Sequence, residues 1–120
     1  MKILLVNPSQ RGVYGKLNAP AYPPLGLSYI GAVLEDANHE VKIIDMDTDK
    51  ISKEKFLKII KNYEVIGITA TTPVFKEAEK LFKLIKENTN AITILGGVHA
   101  TIAPKECVKS YFLYGFFLLY

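Results

Sequence analysis

The sequence predicts an α/β fold in which one parallel sheet has helices on both faces. Four apolar runs, at residues 2–6, 40–45, 65–69 and 91–95, show little alternation with polar residues. Such runs are typical of parallel strands that are buried on both faces. The segments between them carry apolar residues at helical spacing, with lysine and glutamate on the opposite side. Strands that alternate with helices predict right-handed crossovers and a three-layer sandwich.

The elements follow one another along the chain without internal repeats. We expect strand 1 to lie between strands 2 and 3, with strand 4 beyond strand 3. Ser52 precedes the second helix as a candidate N-cap, and one short helix is expected near residues 104–110. The apolar faces of the first three helices are, in order, Leu27, Ile30, Gly31 and Leu34; Phe56, Ile59, Ile60 and Tyr63; and Phe75, Ala78, Phe82 and Ile85.

Composition and charge limit the possible classes of function. The 120 residues suffice for one compact domain. The net charge of +3 comes from lysines interleaved with glutamates, and no basic cluster with stacking aromatics predicts a nucleic-acid surface. Cys107 is the only cysteine, which indicates a reducing compartment and a small buried hydrophobic residue. No signal peptide is evident, and the longest apolar stretch is shorter than the ~20 residues of a membrane helix. We therefore expect a cytoplasmic protein without a membrane span.

The prolines indicate which edge of the sheet binds a ligand. All of them follow strands 1, 3 and 4, whereas the connections at the opposite edge contain none. Proline fixes φ and collects where irregular backbone is held in one shape. Ligands of open parallel sheets bind beyond the carboxyl ends of the strands, an edge that we call the carboxyl rim. The long connection 8–24 also holds Arg11, the only arginine, so we interpret it as a structured binding loop. The prolines are Pro8, Pro20, Pro23, Pro24, Pro73 and Pro104.

Several familiar motifs are absent from the sequence. It lacks the phosphate-binding pattern GxxxxGK(S/T) and the dinucleotide pattern GxGxxG, although Asp45 ends strand 2 where a ribose-binding acid would lie. Asn7 and Thr69 end strands 1 and 3, so the aspartates of a phospho-receiver domain are missing. The aspartate-rich run after strand 2 begins like a calcium loop, but Lys50 and Phe56 replace the glycine and glutamate that such a loop requires. We interpret that run as a turn.

Small and hydroxyl residues remain as the candidate site at the carboxyl rim. Segment 69–72 ends strand 3 with three threonines, and segment 96–101 follows strand 4 with paired glycines. Glycines let backbone approach a bulky ligand closely, and threonines supply neutral hydrogen bonds. This chemistry suits a large, mostly neutral ligand with a nucleotide-like tail between strands 3 and 4. His39 is expected at the opposite edge, whereas His99, in a loop of the carboxyl rim, either bonds nearby backbone or contacts the ligand.

At these residues the chain resembles the cobalamin-binding domain found at the amino terminus of many cobalamin-dependent radical-SAM enzymes. The matching segments occur in order and at family-like spacing over residues 1–109. The pieces Pro-Pro-Leu-Gly-Leu and Gly-Gly-Val-His-Ala-Thr are specific in combination. The segments are Met1–Pro8, Tyr22–Gly31, His39–Val41, Val65–Thr69 and Ile94–Thr101.

The resemblance implies a flavodoxin-like (Rossmann-like) sheet of strand order 2-1-3-4-5, with cobalamin across the carboxyl rim. The nucleotide tail of the cofactor would insert where Thr69 and the pair Gly96–Gly97 face each other across a groove. A large side chain at Gly97 is then expected to block the tail and leave the fold intact. The cofactor-binding residues that the resemblance implies are Pro8, Ser9, Gly12, Tyr22, Pro24, Leu25, Gly26, Thr69, Ala70, Thr71, Thr72, Gly96, Gly97, Val98 and His99.

Two departures from the family's patterns bear on chemistry. Better-known cobalamin domains carry Asp-x-His-x-x-Gly after strand 1, and its histidine ligates cobalt; residues 7–12 read Asn-Pro-Ser-Gln-Arg-Gly, so no metal ligand is expected. The family's enzymes hold an iron–sulfur cluster through Cys-x-x-x-Cys-x-x-Cys in a following domain, and this chain has one cysteine. We therefore expect no iron–sulfur cluster and no catalysis by this chain alone.

The leading hypothesis is a cobalamin-binding module that works with a radical-SAM domain or protein. The alternative is a degenerate flavodoxin-like scaffold that binds no ligand and acts as an interaction partner or a vestigial domain. A flavin or nucleotide site in the same crevice is a third hypothesis. We divide the chain into a cobalamin-binding-like domain, 1–110, and an apolar aromatic tail, 111–120. The tail is expected to form a fifth strand or to be a truncation remnant, and to drive self-association because one sheet face would lack helix cover.

Overall fold

The computed structural model describes residues 1–14, 22–114 and 116–118, with the side chains of residues 1–12 and 22–109. Within these ranges the strands are β1 (Lys2–Asn7), β2 (Glu40–Asp45), β3 (Val65–Thr69), β4 (Ile92–Gly96) and β5 (Phe116–Leu118). The helices are α1 (Arg11–Tyr14), α2 (Leu25–Asp36), α3 (Lys53–Ile60), α4 (Phe75–Asn88), α5 (Val98–Ile102) and α6 (Pro104–Tyr114), and a 3₁₀ turn at Thr72–Val74 precedes α4.

The five strands form one parallel sheet in the order β2-β1-β3-β4-β5. This order confirms the expected flavodoxin-like topology, with β1 between β2 and β3. The predicted strand boundaries agree to within one residue at β1 and β4. The short β5 pairs with β4 at the edge of the sheet, where Phe117 lies opposite Ile94. The predicted division of the chain at residue 110 stays a prediction, and α6 continues through that position.

One face of the sheet carries the main hydrophobic core. Alternate strand residues such as Leu4, Val6 and Ile66 point to this face, where α3, α4, α5 and α6 contribute side chains. The predicted apolar face of α4 is fully buried, as Phe82 illustrates. On the predicted face of α3, Phe56 and Ile60 are buried, whereas Ile59 and Tyr63, the latter beyond the end of the helix, are only partly buried. Burial of apolar area contributes roughly 25 cal/mol per Å², so this cluster stabilises the fold. Cys107 is buried in it, as predicted.

The opposite face has a smaller core and is only partly covered. Ile3, Leu5 and Val65 point to it and pack with Leu27 of α2. In the described part of the chain, the residues of this core that come from a helix all belong to α2, which packs on β1 and β2. Among the described residues, no helix other than α2 contributes to this core, and the sheet surface over β3 and β4 is not covered by α2.

Two short helices were not predicted from the sequence, and one predicted N-cap is confirmed. Helix α1 lies inside the predicted loop 8–24, of which residues 15–21 are outside the described part of the chain, and α5 occupies most of the predicted loop 96–101. Sequence patterns miss such helices because four or five residues carry too little periodicity. Ser52 caps α3 as predicted, because its hydroxyl accepts the Lys55 N–H at 3.2 Å. No helix among the described residues is long and apolar enough to span a membrane.

Candidate functional site

The connections after β3 and β4 meet at the carboxyl rim. The Ala70 N–H donates to the Gly96 carbonyl at 3.0 Å, and the His99 N–H donates to the Ala70 carbonyl at 3.0 Å. Thr69 and Gly96 are register partners at the last step of the β3–β4 ladder. These bonds join the two rim segments, which the sequence placed together, into one rigid unit.

Gly97 allows the two rim segments to approach each other closely. Its φ is +94° with ψ −174°, a region that glycine alone adopts readily. A Cβ built there would lie 2.6 Å from Thr69 Oγ1 and 2.9 Å from the Ala70 carbonyl oxygen. Gly97 thus contacts Thr69 and does not face it across a groove, so that expectation was wrong. The same distances predict strain for a large side chain at position 97, and the expectation that the fold tolerates one stays a prediction.

His99 lies beneath the rim and not on its surface. Its side chain is about 1% exposed and stacks on Phe75, with ring centroids 4.2 Å apart. Nδ1 lies 3.0 Å from Thr72 Oγ1. Nε2 lies 3.3 Å from Glu106 Oε2, but no partner among the described residues meets hydrogen-bond geometry at that nitrogen. The ring thus bonds a distant side chain and not nearby backbone, and it ties α5 to the 3₁₀ turn; its contact with a ligand stays a prediction.

A single carboxylate holds the described start of the β1–α2 connection. Asp47, in the turn after β2, accepts the Ser9 hydroxyl at 2.6 Å and the Gln10 N–H at 2.9 Å. Arg11 contributes an ion pair, with Nε 3.5 Å from Asp47 Oδ1. Helix α1 then contacts the 3₁₀ turn before α4, so the described prolines and this segment lie at the same rim. The aspartate-rich run predicted only a turn, so these contacts of Asp47 were not expected from the sequence.

An apolar groove of about 530 Å³ opens at the carboxyl rim and continues along the sheet face that α2 covers only in part. It follows β4 from Ile92 to Gly96, a distance of about 13 Å at ~3.3 Å per residue. Its volume lies within the range of small-molecule sites, roughly 300–1,000 Å³. The residues that line it are Met1, Ile3, Leu5, Leu27, Ile30, Leu34, His39, Val65, Gly67, Ile68, Thr69, Ile92, Ile94, Gly96 and Gly97.

Three of the sequence-predicted site residues, Thr69, Gly96 and Gly97, line this groove. Most of the others are exposed or partly buried, and Pro8, Ala70 and His99 are buried. The exposed ones are Gly12, Tyr22, Leu25, Gly26, Thr71, Thr72 and Val98, while Ser9 and Pro24 are partly buried. The cofactor-binding role of each residue stays a prediction.

The body of the groove was not predicted from the sequence. Alternate residues of β3 and β4 face it, including Gly67 in the middle of β3. A glycine inside a strand often marks a place where a ligand approaches the sheet, and that signal was available in the sequence. A Cβ at Gly67 would lie 3.0 Å from Leu5 Cδ2, so even an alanine would narrow the floor of the groove.

The lining of this groove suits the binding of an apolar ligand. The lining is largely aliphatic, with the Thr69 side chain and the glycine backbone as polar groups near the mouth. Among the described residues, no three His, Cys, Asp or Glu side chains are grouped as metal ligands. An aromatic or otherwise flat apolar ligand would bury its surface here without leaving a charge unpaired.

Comparison with known proteins identifies the family. The B12 binding domain family matches residues 18–118. The uncharacterized methyltransferase PH0819 of Pyrococcus horikoshii is 36% identical over 112 residues, which are 91% of this chain and 24% of that protein. The cytidylyl-2-hydroxyethylphosphonate methyltransferase of Streptomyces wedmorensis is 34% identical, covering 89% of this chain and 24% of that protein. The chain thus spans about a quarter of the length of these relatives.

A solved structure shares the fold. The radical S-adenosylmethionine methyltransferase TsrM of Kitasatospora setae, with cobalamin and a 4Fe-4S cluster bound, gives a TM-score of 0.71 at 21% identity. The match covers 95% of this chain and 21% of that one. The family match spans most of the chain, and the parallel sheet has the fold of the solved structure. The resemblance drawn from the sequence is confirmed, and the chain belongs to the B12-binding domain family.

Proposed function

We propose that the chain binds cobalamin with the corrin ring on the carboxyl rim and the nucleotide tail in the groove beside α2. The groove is the observation that carries this proposal, because it opens between the rim residues and is apolar along its length. The tail ends in an aromatic base, which such a lining desolvates favourably. When bound, the cofactor supplies cobalt-centred chemistry, and the residues of this chain bind and orient it.

The rim residues would hold the rest of the cofactor by neutral contacts. Thr71 and Thr72 are exposed residues, although the Thr72 hydroxyl also lies 3.0 Å from His99 Nδ1, and Val98 and Leu25 have exposed apolar side chains. Cobalamin carries peripheral amides, which hydroxyl and backbone groups can pair without charge. The segment from Pro8 to Gly12 would contact the corrin ring from the β1 side.

The partner that we infer is a radical-SAM domain or protein, with the chain itself non-catalytic. The relatives are methyltransferases about four times as long, so the chain matches the size of one domain in them. We place the protein in the cytoplasm because Cys107 is its only cysteine. Self-association through residues 111–120 is also proposed, since β5 lies at the sheet edge and this segment has no charged residue.

Titration with hydroxocobalamin, followed by the corrin absorption, tests the binding mode. Ile30 lines the groove from α2 with 40% of its surface exposed, whereas Val33 on the same helix is 59% exposed and does not line it. Ile30→Trp should fill the groove and weaken binding by about tenfold or more, as overpacking a site does. Val33→Trp is the matched control and should bind like the unchanged chain.

The outcome of these titrations distinguishes the proposed binding mode from a cofactor bound elsewhere, from a ligand-free scaffold and from a flavin site. Saturable binding that Ile30→Trp weakens and Val33→Trp preserves supports the proposed mode. Equal binding by all three proteins would place the cofactor elsewhere. No spectral shift at a large excess of cobalamin would favour the ligand-free scaffold, and a parallel titration with FMN tests the flavin hypothesis.

A further inference from the structure

Asp47 contacts three consecutive residues that follow β1, residues 9–11, which we call the rim segment in this subsection. Its Oδ1 accepts the Ser9 hydroxyl at 2.6 Å, and its Oδ2 accepts the Gln10 N–H at 2.9 Å. The guanidinium of Arg11 contacts both Oδ1, at 3.5 Å, and the Asp47 carbonyl, at 3.3 Å. Three consecutive residues of one segment are thus attached to one residue of another. Bonds to a carboxylate are among the stronger hydrogen bonds in proteins.

Asp47 is itself fixed in the turn after β2. Its N–H donates to Asp45 Oδ1 at 3.1 Å, and the Asp45 N–H donates to Asp49 Oδ2 at 2.9 Å. The Met46 N–H donates to the Asn7 carbonyl at 3.0 Å and extends the pairing of β1 and β2 by one step. The carboxylate is therefore presented from the rigid end of two paired strands, with its side chain 26% exposed.

These bonds determine which further hydrogen bonds the Ser9 hydroxyl can form with a ligand. It donates its hydrogen to Asp47 and accepts the Arg11 N–H at 3.2 Å. A hydroxyl has one hydrogen and two lone pairs, so one lone pair remains. Toward a ligand, Ser9 can only accept a hydrogen bond, which suits an amide N–H such as those at the corrin periphery.

We propose that Asp47 is the positioning residue of the rim segment, holding residues 9–11 in place and orienting the Ser9 hydroxyl as an acceptor toward the bound cofactor. This inference rests on the proposed function. Without the carboxylate, Ser9 could turn and the Gln10 N–H would lose its partner, so the segment would sample other conformations before binding. The cofactor would then bind only the fraction of molecules in the correct conformation.

The test compares Asp47→Asn with Glu64→Gln as the matched control. Glu64 also accepts a backbone N–H, that of Lys2 at 2.8 Å, but at the opposite edge of the sheet. Asp47→Asn should raise the Kd for hydroxocobalamin about tenfold, and Glu64→Gln should leave it unchanged. Ser9→Ala should weaken binding in the unchanged chain and add little once Asp47 is replaced, because the two residues act together.

Amide hydrogen exchange without cobalamin tests the positioning by itself. The Gln10 amide should exchange faster in Asp47→Asn and at an unchanged rate in Glu64→Gln. An unchanged Gln10 rate would overturn the proposal, and so would faster exchange together with an unchanged Kd or additive effects of the Ser9 and Asp47 substitutions. A chain without substitutions that binds no hydroxocobalamin would overturn the proposed function and the cofactor role of Asp47. The exchange rates would still decide whether Asp47 holds the segment.

Discussion

Replacing Gly97 by alanine should destabilise the protein strongly. The backbone of Gly97 has φ +94° and ψ −174°, a conformation that adds ~1–3 kcal/mol for a residue with a side chain. The new Cβ would also lie 2.6 Å from Thr69 Oγ1 and 2.9 Å from the Ala70 carbonyl oxygen. Relief of such overpacking costs ~1–3 kcal/mol, and the backbone oxygen is held by the His99 N–H. The sum is a loss of roughly 2–6 kcal/mol in the free energy of unfolding.

Gly26→Ala is the control, because this substitution is expected to leave the free energy of unfolding unchanged or to raise it slightly. Gly26 lies in the first turn of α2, and a Cβ there would meet no heavy atom within 4 Å. Alanine is favoured over glycine in helices by up to ~1 kcal/mol, so this variant should unfold at an equal or slightly higher urea concentration.

Urea unfolding followed by circular dichroism measures both variants. The slope m should be the same for the three proteins, so that midpoint differences report stability. A Gly97→Ala protein within ~0.5 kcal/mol of the unchanged chain would refute the reasoning, because a surface substitution without strain falls in that range. A large loss in Gly26→Ala would refute it as well, since nothing in the structure opposes a methyl group there.

Three further predictions address other parts of the molecule. Ser52→Ala removes the acceptor of the Lys55 N–H at the start of α3 and should lower the free energy of unfolding by ~1 kcal/mol in urea titrations. Burial, and then the neighbouring carboxylate of Glu106, raise the pKa of the Cys107 thiol. The folded state therefore disfavours the thiolate, and stability should fall as the pH rises above the ordinary thiol pKa, a loss that Cys107→Ser should reduce in unfolding at pH 8 and 10. Deletion of residues 111–120 should lower the sedimentation coefficient if this segment drives self-association, and a full-length chain that stays monomeric at high concentration would contradict that proposal.

The sequence by itself determined the sheet and its topology. Non-alternating apolar runs specify strands buried on both faces, and the crossover rule then leaves few arrangements of four such strands. The same local physics determined the N-cap at Ser52 and the buried faces of α3 and α4. Proline and glycine placement located the carboxyl rim because these residues act through their own backbone angles.

Only the tertiary structure decided the shape of the site. The groove exists because α2 packs on β1 and β2 and does not cover β3 and β4, and no local pattern states where a helix lies across a sheet. The burial of His99 depends on Phe75 and Thr72, which are distant in sequence. The role of Asp47 depends on the register that brings the end of β2 beside the end of β1, about 40 residues earlier in the chain. Contacts between segments so far apart are set by the packing of whole elements, and a single sequence carries that information only indirectly.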